Sequence, residues 1–498
     1  MSLAAFIWKD RTNRIYLYCA LATGMGLWLI FKLVYIYPNL IFDSYMYIRA
    51  AVLDQRVNAW PIGYSRFLQF FSLFSHSANL LVTLQYWVLE LSCLLFFFTW
   101  RYLFQPGKWI SNLLFVLLFA NPILLFCANY ILSDALFISL SILWFTQLWW
   151  IIVRPRPWMI LVHALLLFLV FTVRYNALYY PFVAALAFLL SRQRPWLKVA
   201  GIALPLVLVL GFIHFTSSGI ASITGQRQFS PFGGWKLAND ALYMYAKVQP
   251  ADAATVPSAF RPLDSTVRQY FATAQGLEDT LESEPSSGSY FMFDPRTPLV
   301  LYMERLHPEP WPFFGTRTWY EVAPLYQSYG LYLIKKYPLS FARYFLLPNC
   351  LRYAVPPAEF FGSTIPFQLH ESHGGPFIRE MFGLTTIMVP ASRIELSRRI
   401  LYTYPTIFAI IHFCFILGCC GFTMAGGWRR LPRHLTSCII LAVGLWLCDL
   451  GFSVVSAGIV LRYQIFMMII ESSLGCYFIA FTYRNMDKVP PDPNSNYV

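Results

Sequence analysis

Apolar residues fill long uninterrupted stretches of this chain, and polar residues gather in short groups between them. Stretches of about 17 to 25 apolar residues can cross the hydrocarbon core of a bilayer as helices. The pattern predicts ten such spans, near residues 15–37, 79–100, 109–128, 133–153, 157–173, 176–191, 197–216, 401–424, 436–456 and 459–482. The fifth and sixth are the least regular, because the turn between them is short and carries Arg174; a re-entrant pair is the alternative there. Between the seventh and eighth lies a long segment, 217–400, punctuated by Pro, Gly and Ser. Within it, Ser265 to Glu284 has helical spacing and Glu282 to Ser289 reads as a flexible turn. Residues 319–352 predict an aromatic, basic, amphipathic pair of helices of the kind that lies in the membrane interface.

Composition supports this reading. Of 498 residues, 58% are hydrophobic and 12% charged, too apolar a balance for a soluble protein of this size. The expected fold class is an all-α polytopic membrane protein in three parts: a helical module over 1–216, a segment outside the membrane over 217–400, and C-terminal spans with a Pro/Asn-rich tail over 401–498. The charged N-terminus and the length of the first span predict a retained anchor helix instead of a cleaved leader.

Charge then sets the orientation. Lys9, Arg11 and Arg14 precede the first span, and every second connection is basic: Arg101 and Lys108, Arg154 and Arg156, Arg192, Arg194 and Lys198, Arg429, Arg430 and Arg433, then Arg484 and Lys488. Basic short loops stay on the cytoplasmic side, so both termini are expected there and 217–400 on the outer face. That segment holds 16 Lys+Arg against 15 Asp+Glu, leaving 12 of the 13 net positive charges to the remainder. The high pI is a topology signal, and nucleic-acid binding, which calls for a basic patch on a soluble domain, is excluded as a class. Nine of ten cysteines lie in or beside apolar spans and only Cys350 in the outer segment, so no disulfide framework is implied.

Candidate chemistry converges on the outer face. The first outer loop, 38–78, carries Asp43, Asp54, Arg56 and the string Trp60-Pro-Ile-Gly-Tyr64-Ser-Arg66; the second ends at Asp134; the third presents Arg174-Tyr175-Asn176. A carboxylate beside lipid is costly and reads as functional by default. Two acids and a cation at one external cavity can run acid/base chemistry on a substrate delivered from the bilayer. The plainer reading makes Asp43 the cap of a helix over 44–53 and Asp134 the cap of its own span, since Asp is a favoured N-cap. Glu90, Asp449 and Glu471 lie inside spans, where hydrogen bonding between helices is the leading expectation. His370-Glu371-Ser372-His373 has metal-ligand residue types but reads as solvated loop. Phe229, Trp235 and Trp311 are expected to pack, the alternative being that they cover a cavity.

At Asp43, Pro61-Ile-Gly63-Tyr64, Asn121-Pro122, Asp134, Arg174-Tyr175-Asn176 and Arg462-Tyr463 the chain resembles the GT-C superfamily of polytopic glycosyltransferases, of the protein mannosyltransferase and lipid A aminoarabinose transferase type. The resemblance covers residues 15–216 well and the remainder in layout. It departs from branches with paired acids in the first loop, because Ser44 follows Asp43. It implies a GT-C-type bundle that moves a sugar, with inversion, from a polyprenyl-phosphate carrier to a lipid, glycan or protein acceptor. The site would face the periplasm or its equivalent, in a bacterial inner membrane. Asp43 and Asp134 would be catalytic, with Asp43 the base; Arg174, Arg462 and Arg66 would hold the donor phosphate; Tyr64, Tyr175 and Asn176 would contact substrate. No metal ligands are assigned, and a divalent cation shared by Asp134 is the one cofactor compatible with the pattern.

Other classes make different demands. An O-antigen polymerase or ligase would rely on arginine and histidine in its large outer loop and lack acids at the first two outer turns. A lipid or polysaccharide transporter would show repeats and broken helices with charges at mid-membrane. A non-catalytic assembly protein would need no acid at all.

Overall fold

The computed structural model describes residues 1–248, 250–273, 288–306, 317–358, 367–368, 375–384, 386–387, 391–456 and 458–485. The His370–His373 cluster, Trp311, the turn over 282–287 and the tail beyond 485 lie outside the described residues.

The described residues are helical, with one antiparallel pair of two-residue strands among them, β1 (Phe367–Gln368) and β2 (Thr386–Ile387). An N-terminal helix α1 (Leu3–Lys9) leads into α2 (Arg11–Val34), followed by two short helices, α3 (Phe42–Val52) and α4 (Gly63–Ser72). Then come α5 (Ala78–Phe104), α6 (Lys108–Phe119) and α7 (Pro122–Ala128), α8 (Ser133–Val153), α9 (Trp158–Val173), α10 (Tyr180–Leu190) and α11 (Pro195–Thr224). Among the described residues, eight helical segments are long and apolar enough to cross a membrane: 11–34, 78–104, 108–128, 133–153, 195–224, 395–424, 433–456 and 461–485. The other two expected spans, Trp158–Val173 and Tyr175–Leu190, are shorter apolar helices. At 1.5 Å per residue each is about 24 Å long, short of the roughly 30 Å hydrocarbon core.

Helix α8 lies inside the bundle, packed on α5, α9 and α10. Its large aromatics fill the centre: Trp144 stacks on Tyr180 at 4.2 Å, and Trp149 stacks on Phe96 and donates to the Cys438 carbonyl at 3.2 Å. The basic loops gather at one end. Arg154 and Tyr102 both donate to the Met1 carbonyl, Arg101 lies over Tyr16, and Arg430 donates to Asn485.

The segment after α11 packs at the opposite end as a helical unit: α12 (Pro231–Tyr245), α13 (Arg261–Thr273), α14 (Pro298–Leu306) and α15 (Arg317–Lys336). Helices α12 and α15 approach closely because each offers a glycine where a side chain would collide. A Cβ on Gly234 would stand 2.2 Å from the Ala323 carbonyl oxygen, and one on Gly330 2.7 Å from the backbone of Leu237 and Ala238. Trp235 stacks on Trp319 at 5.4 Å and donates to its carbonyl. The first helix of the expected interfacial pair is therefore corrected: the aromatic face of α15, with Trp319, Tyr326 and Tyr329, is buried against protein. The following stretch, ending in α16 (Leu347–Ala354), leaves Leu339, Leu347 and Leu351 exposed. Next come α17 (Gly375–Phe382) and α18 (Ala391–Leu401), then the C-terminal spans α19 (Tyr404–Met424), α20 (Arg433–Ser456) and α21 (Ile465–Asn485).

Of the three acids singled out within the spans, Asp449 and Glu471 bond between elements as expected, whereas Glu90 bonds Tyr86 of its own helix α5. Tyr179 and Tyr353 donate to the two oxygens of Asp449 at 2.7 and 2.8 Å, and His412 meets Glu471 at 3.1 Å. Glu90 is buried beside Tyr86 and Gly24.

Candidate functional site

Two loops are joined by backbone before any side chain contributes. Asn39, leaving α2, forms a parallel bridge with Tyr130, at the turn from α7 to α8. The Asn39 N–H donates to the Asn129 carbonyl at 2.9 Å and the Ile131 N–H to the Asn39 carbonyl at 3.1 Å. The Asn129 side chain clamps the junction, accepting from Lys32 at 3.0 Å and donating to the Tyr37 carbonyl. A few residues past each side of this bridge stand Asp43 and Asp134, and Tyr47 of α3 meets Ser133 at 3.1 Å.

Neither acid is a helix cap. Helix α3 begins after Ile41, whose N–H donates to Ser44 Oγ at 3.0 Å, and Asp43 sits in its first turn. Helix α8 begins after Leu132, and Asp134 is its second residue. The capping role weighed for both is thus corrected. Their carboxylates face two arginines from distant parts of the chain. Arg174, at the end of α9, pairs with Asp134. Arg462, in the 3-10 turn Leu461–Gln464 that leads into α21, lies 3.7 Å from Asp43 and 3.8 Å from Asp134. Tyr463 supports both cations, with its ring 4.7 Å from the Arg174 guanidinium and 5.0 Å from that of Arg462. Such placement over an aromatic face is favourable for a desolvated cation.

Accessibility separates the four groups. Asp134 is 5% exposed and Arg174 13%, whereas Asp43 retains 27%. Burial pushes the Asp43 carboxyl above the ordinary carboxylate range; Arg462 opposes the rise, the Asp134 charge adds to it, and Arg174 and a hydrogen bond from Trp60 oppose it. A carboxylate shifted in this direction is better matched to taking a proton near neutrality.

The remaining sequence candidates fall elsewhere. Tyr64 is fully enclosed: its ring meets Tyr47 edge-on at 5.0 Å and its hydroxyl donates to Gln85 at 2.6 Å. Gln85 in turn donates to the Ala128 and Tyr130 carbonyls, so Tyr64 supports the loop junction from behind. Gly63 lets α4 approach the end of α9, since a Cβ there would be 2.5 Å from the Thr172 carbonyl oxygen. Tyr175 packs on Phe171 and Phe229, and Asn176, its half-buried neighbour, lies in the same 3-10 turn. Arg66 is engaged by Asp54, Gln69 at 2.6 Å and the Gln55 carbonyl at 2.9 Å, none of them a member of the acid–arginine cluster. Asn121-Pro122 starts α7, with Asn121 accepting from the Tyr404 hydroxyl at 2.5 Å. Residues that single-sequence reading passes over, Asn129, Tyr47 and Ser133, hold the acids in place; a lone polar residue beside an apolar span carries no distinguishing signal.

A metal fits poorly. Among the described residues no group of three His, Cys, Asp or Glu side chains converges, and the two arginines already supply positive charge beside both carboxylates. No protein-family model matches the chain, and no curated protein or solved structure shows significant similarity to it.

Proposed function

We propose that this chain is a GT-C-type membrane glycosyltransferase whose donor is a sugar on a polyprenyl phosphate. The observation that carries the reading is the meeting of Asp43, Asp134, Arg174 and Arg462, from four separate stretches, at the end of the bundle opposite the basic loops. With those loops cytoplasmic, the site faces outward and the unit built on α12–α15 stands beside it.

In the proposed reaction Asp43 takes the proton of the acceptor hydroxyl as that oxygen bonds the anomeric carbon. The bond from that carbon to the phosphate oxygen breaks on the opposite side, and its electron pair leaves with the polyprenyl phosphate. Inversion follows from the single displacement. Arg462, facing both carboxylates, stabilises the departing phosphate, for which a guanidinium fork is suited. Arg174, paired with Asp134, keeps that second acid in position. Tyr64 and Tyr47 act behind the site as supports.

The test is incubation of the purified protein with a panel of radiolabelled polyprenyl-phosphate sugars and membrane-derived acceptors. Consumption of one donor by the wild type but not by Asp43→Asn supports the reading. No consumption of any donor, or equal consumption by the variant, removes it.

A further inference from the structure

A cavity lies outside the acid–arginine cluster. It has a volume of about 480 Å³ and is lined by Gln55, Arg56 and Val57 of the first loop, by Phe215, Ser218, Gly219, Ser222 and Ile223 of α11, and by Tyr320 of α15. Val57 and Gly219 form the contact where loop and helix touch, a Cβ on Gly219 falling 2.5 Å from Val57.

The chemistry of the lining is one-sided. Arg56, Gln55, Ser218 and Tyr320 bring donors, and no carboxylate lines the space. The nearest acid in sequence, Asp54, is taken by Arg66 and Gln69. Arg49 acts electrostatically on the Tyr320 hydroxyl, which carries a proton it can donate. These are the requirements of an anion.

Depth and shape identify the kind of anion. Helix α11 has 30 residues and is about 45 Å long, roughly ten residues more than the hydrocarbon core needs. The cavity is lined by its last third, away from the basic end, and so falls at headgroup level. Below it, Val207, Gly211 and Phe215 follow one another at four-residue steps on one face of α11. Val207 is 64% and Phe215 49% exposed, and nothing lies within 4 Å of a Cβ built on Gly211. A donor-rich cup thus continues into an open apolar track.

We infer that this cavity binds one phosphate-bearing lipid from the adjoining leaflet, its headgroup on Arg56, Ser218 and Tyr320 and a chain along Val207, Gly211 and Phe215. The inference does not depend on the proposed glycosyl transfer. Native mass spectrometry of the full chain in detergent, mixed with phosphatidylglycerol or phosphatidylcholine, tests it by counting retained lipids. The wild type retains one phosphatidylglycerol in preference to phosphatidylcholine. Arg56→Ala lowers that occupancy about fivefold, the effect of one interfacial basic residue. Ser218→Trp, which fills the cup, and Gly211→Leu, which blocks the track, lower it as well, with thermal unfolding checking that each variant is folded. Unchanged retention in folded Arg56→Ala or Ser218→Trp overturns the site. If inorganic phosphate displaces the lipid and Gly211→Leu has no effect, the ligand is free phosphate and the lipid assignment falls.

Discussion

At the scale of single residues, the central contrast is between two aspartates sharing one arginine. Asp134 is buried and paired; Asp43 is partly open and its carboxyl is raised by burial. Asp43→Asn is expected to cost on the order of 10²- to 10⁴-fold in transfer rate with donor binding retained. Because the protonated acid cannot act as a base, the rate should climb as pH rises through the Asp43 pKa, and that limb should lie above the ordinary value of about 3.9. Arg462 lowers this pKa, so Arg462→Gln should move the limb to higher pH, readable in a pH–rate profile. A limb that stays put would separate Arg462 from Asp43. For the buried pair, Arg174→Met alone should cost about 3 to 5 kcal/mol by stranding Asp134, whereas Arg174→Met with Asp134→Leu should recover most of the stability and remain inactive. Thermal unfolding and a transfer assay together distinguish these outcomes. The four charged residues stand out in the sequence because charge is rare in so apolar a chain and each lies at a predicted turn or the outer end of a predicted span. Tyr64 and Arg66 were misread for the same reason: conspicuous polar groups can be used up internally, by Gln85 and Asp54.

At the scale of elements, the apolar runs marked eight of the ten expected spans, but not the packing of the helices outside them. Aromatic residues in 319–336 signal an amphipathic face; whether that face meets lipid or protein depends on α12, whose Gly234 is ordinary in sequence and decisive in space. Helix starts were misplaced where a hydroxyl did the work expected of a carboxylate, as at Ser44. The close approach of α4 to α9 yields a prediction. Gly63→Ala must push against the Thr172 carbonyl, two residues before Arg174, and should cost about 1 to 3 kcal/mol and reduce transfer. Gly26→Ala, with open space around its Cβ, is the control. Equal melting temperatures for the two variants would show that α4 yields without consequence.

At the scale of the whole molecule, the separation of the basic loops from the acid–arginine cluster is what the alternation of charges along the chain led one to expect. In a background without native cysteines, Ser328→Cys on α15 should react with an impermeant maleimide in intact cells, and Thr423→Cys at the end of α19 should react only after permeabilisation. The reverse pattern would invert the orientation. The short helices α9 and α10 have a further effect. Together they expose Leu165, Leu169, Phe182 and Leu189 to their surroundings, yet the segments Trp158–Val173 and Tyr175–Leu190 are each only about 24 Å long, so a bilayer would have to pinch beside them to avoid wetting hydrocarbon. The pinch sits against the turn that carries Arg174. On the proposed function, a long, flexible polyprenyl chain entering there would meet thinned lipid and have less distance to climb before its phosphate reached the arginines. Reconstitution in bilayers of increasing acyl length should therefore slow transfer steadily, because each added carbon makes the dimple costlier to hold open.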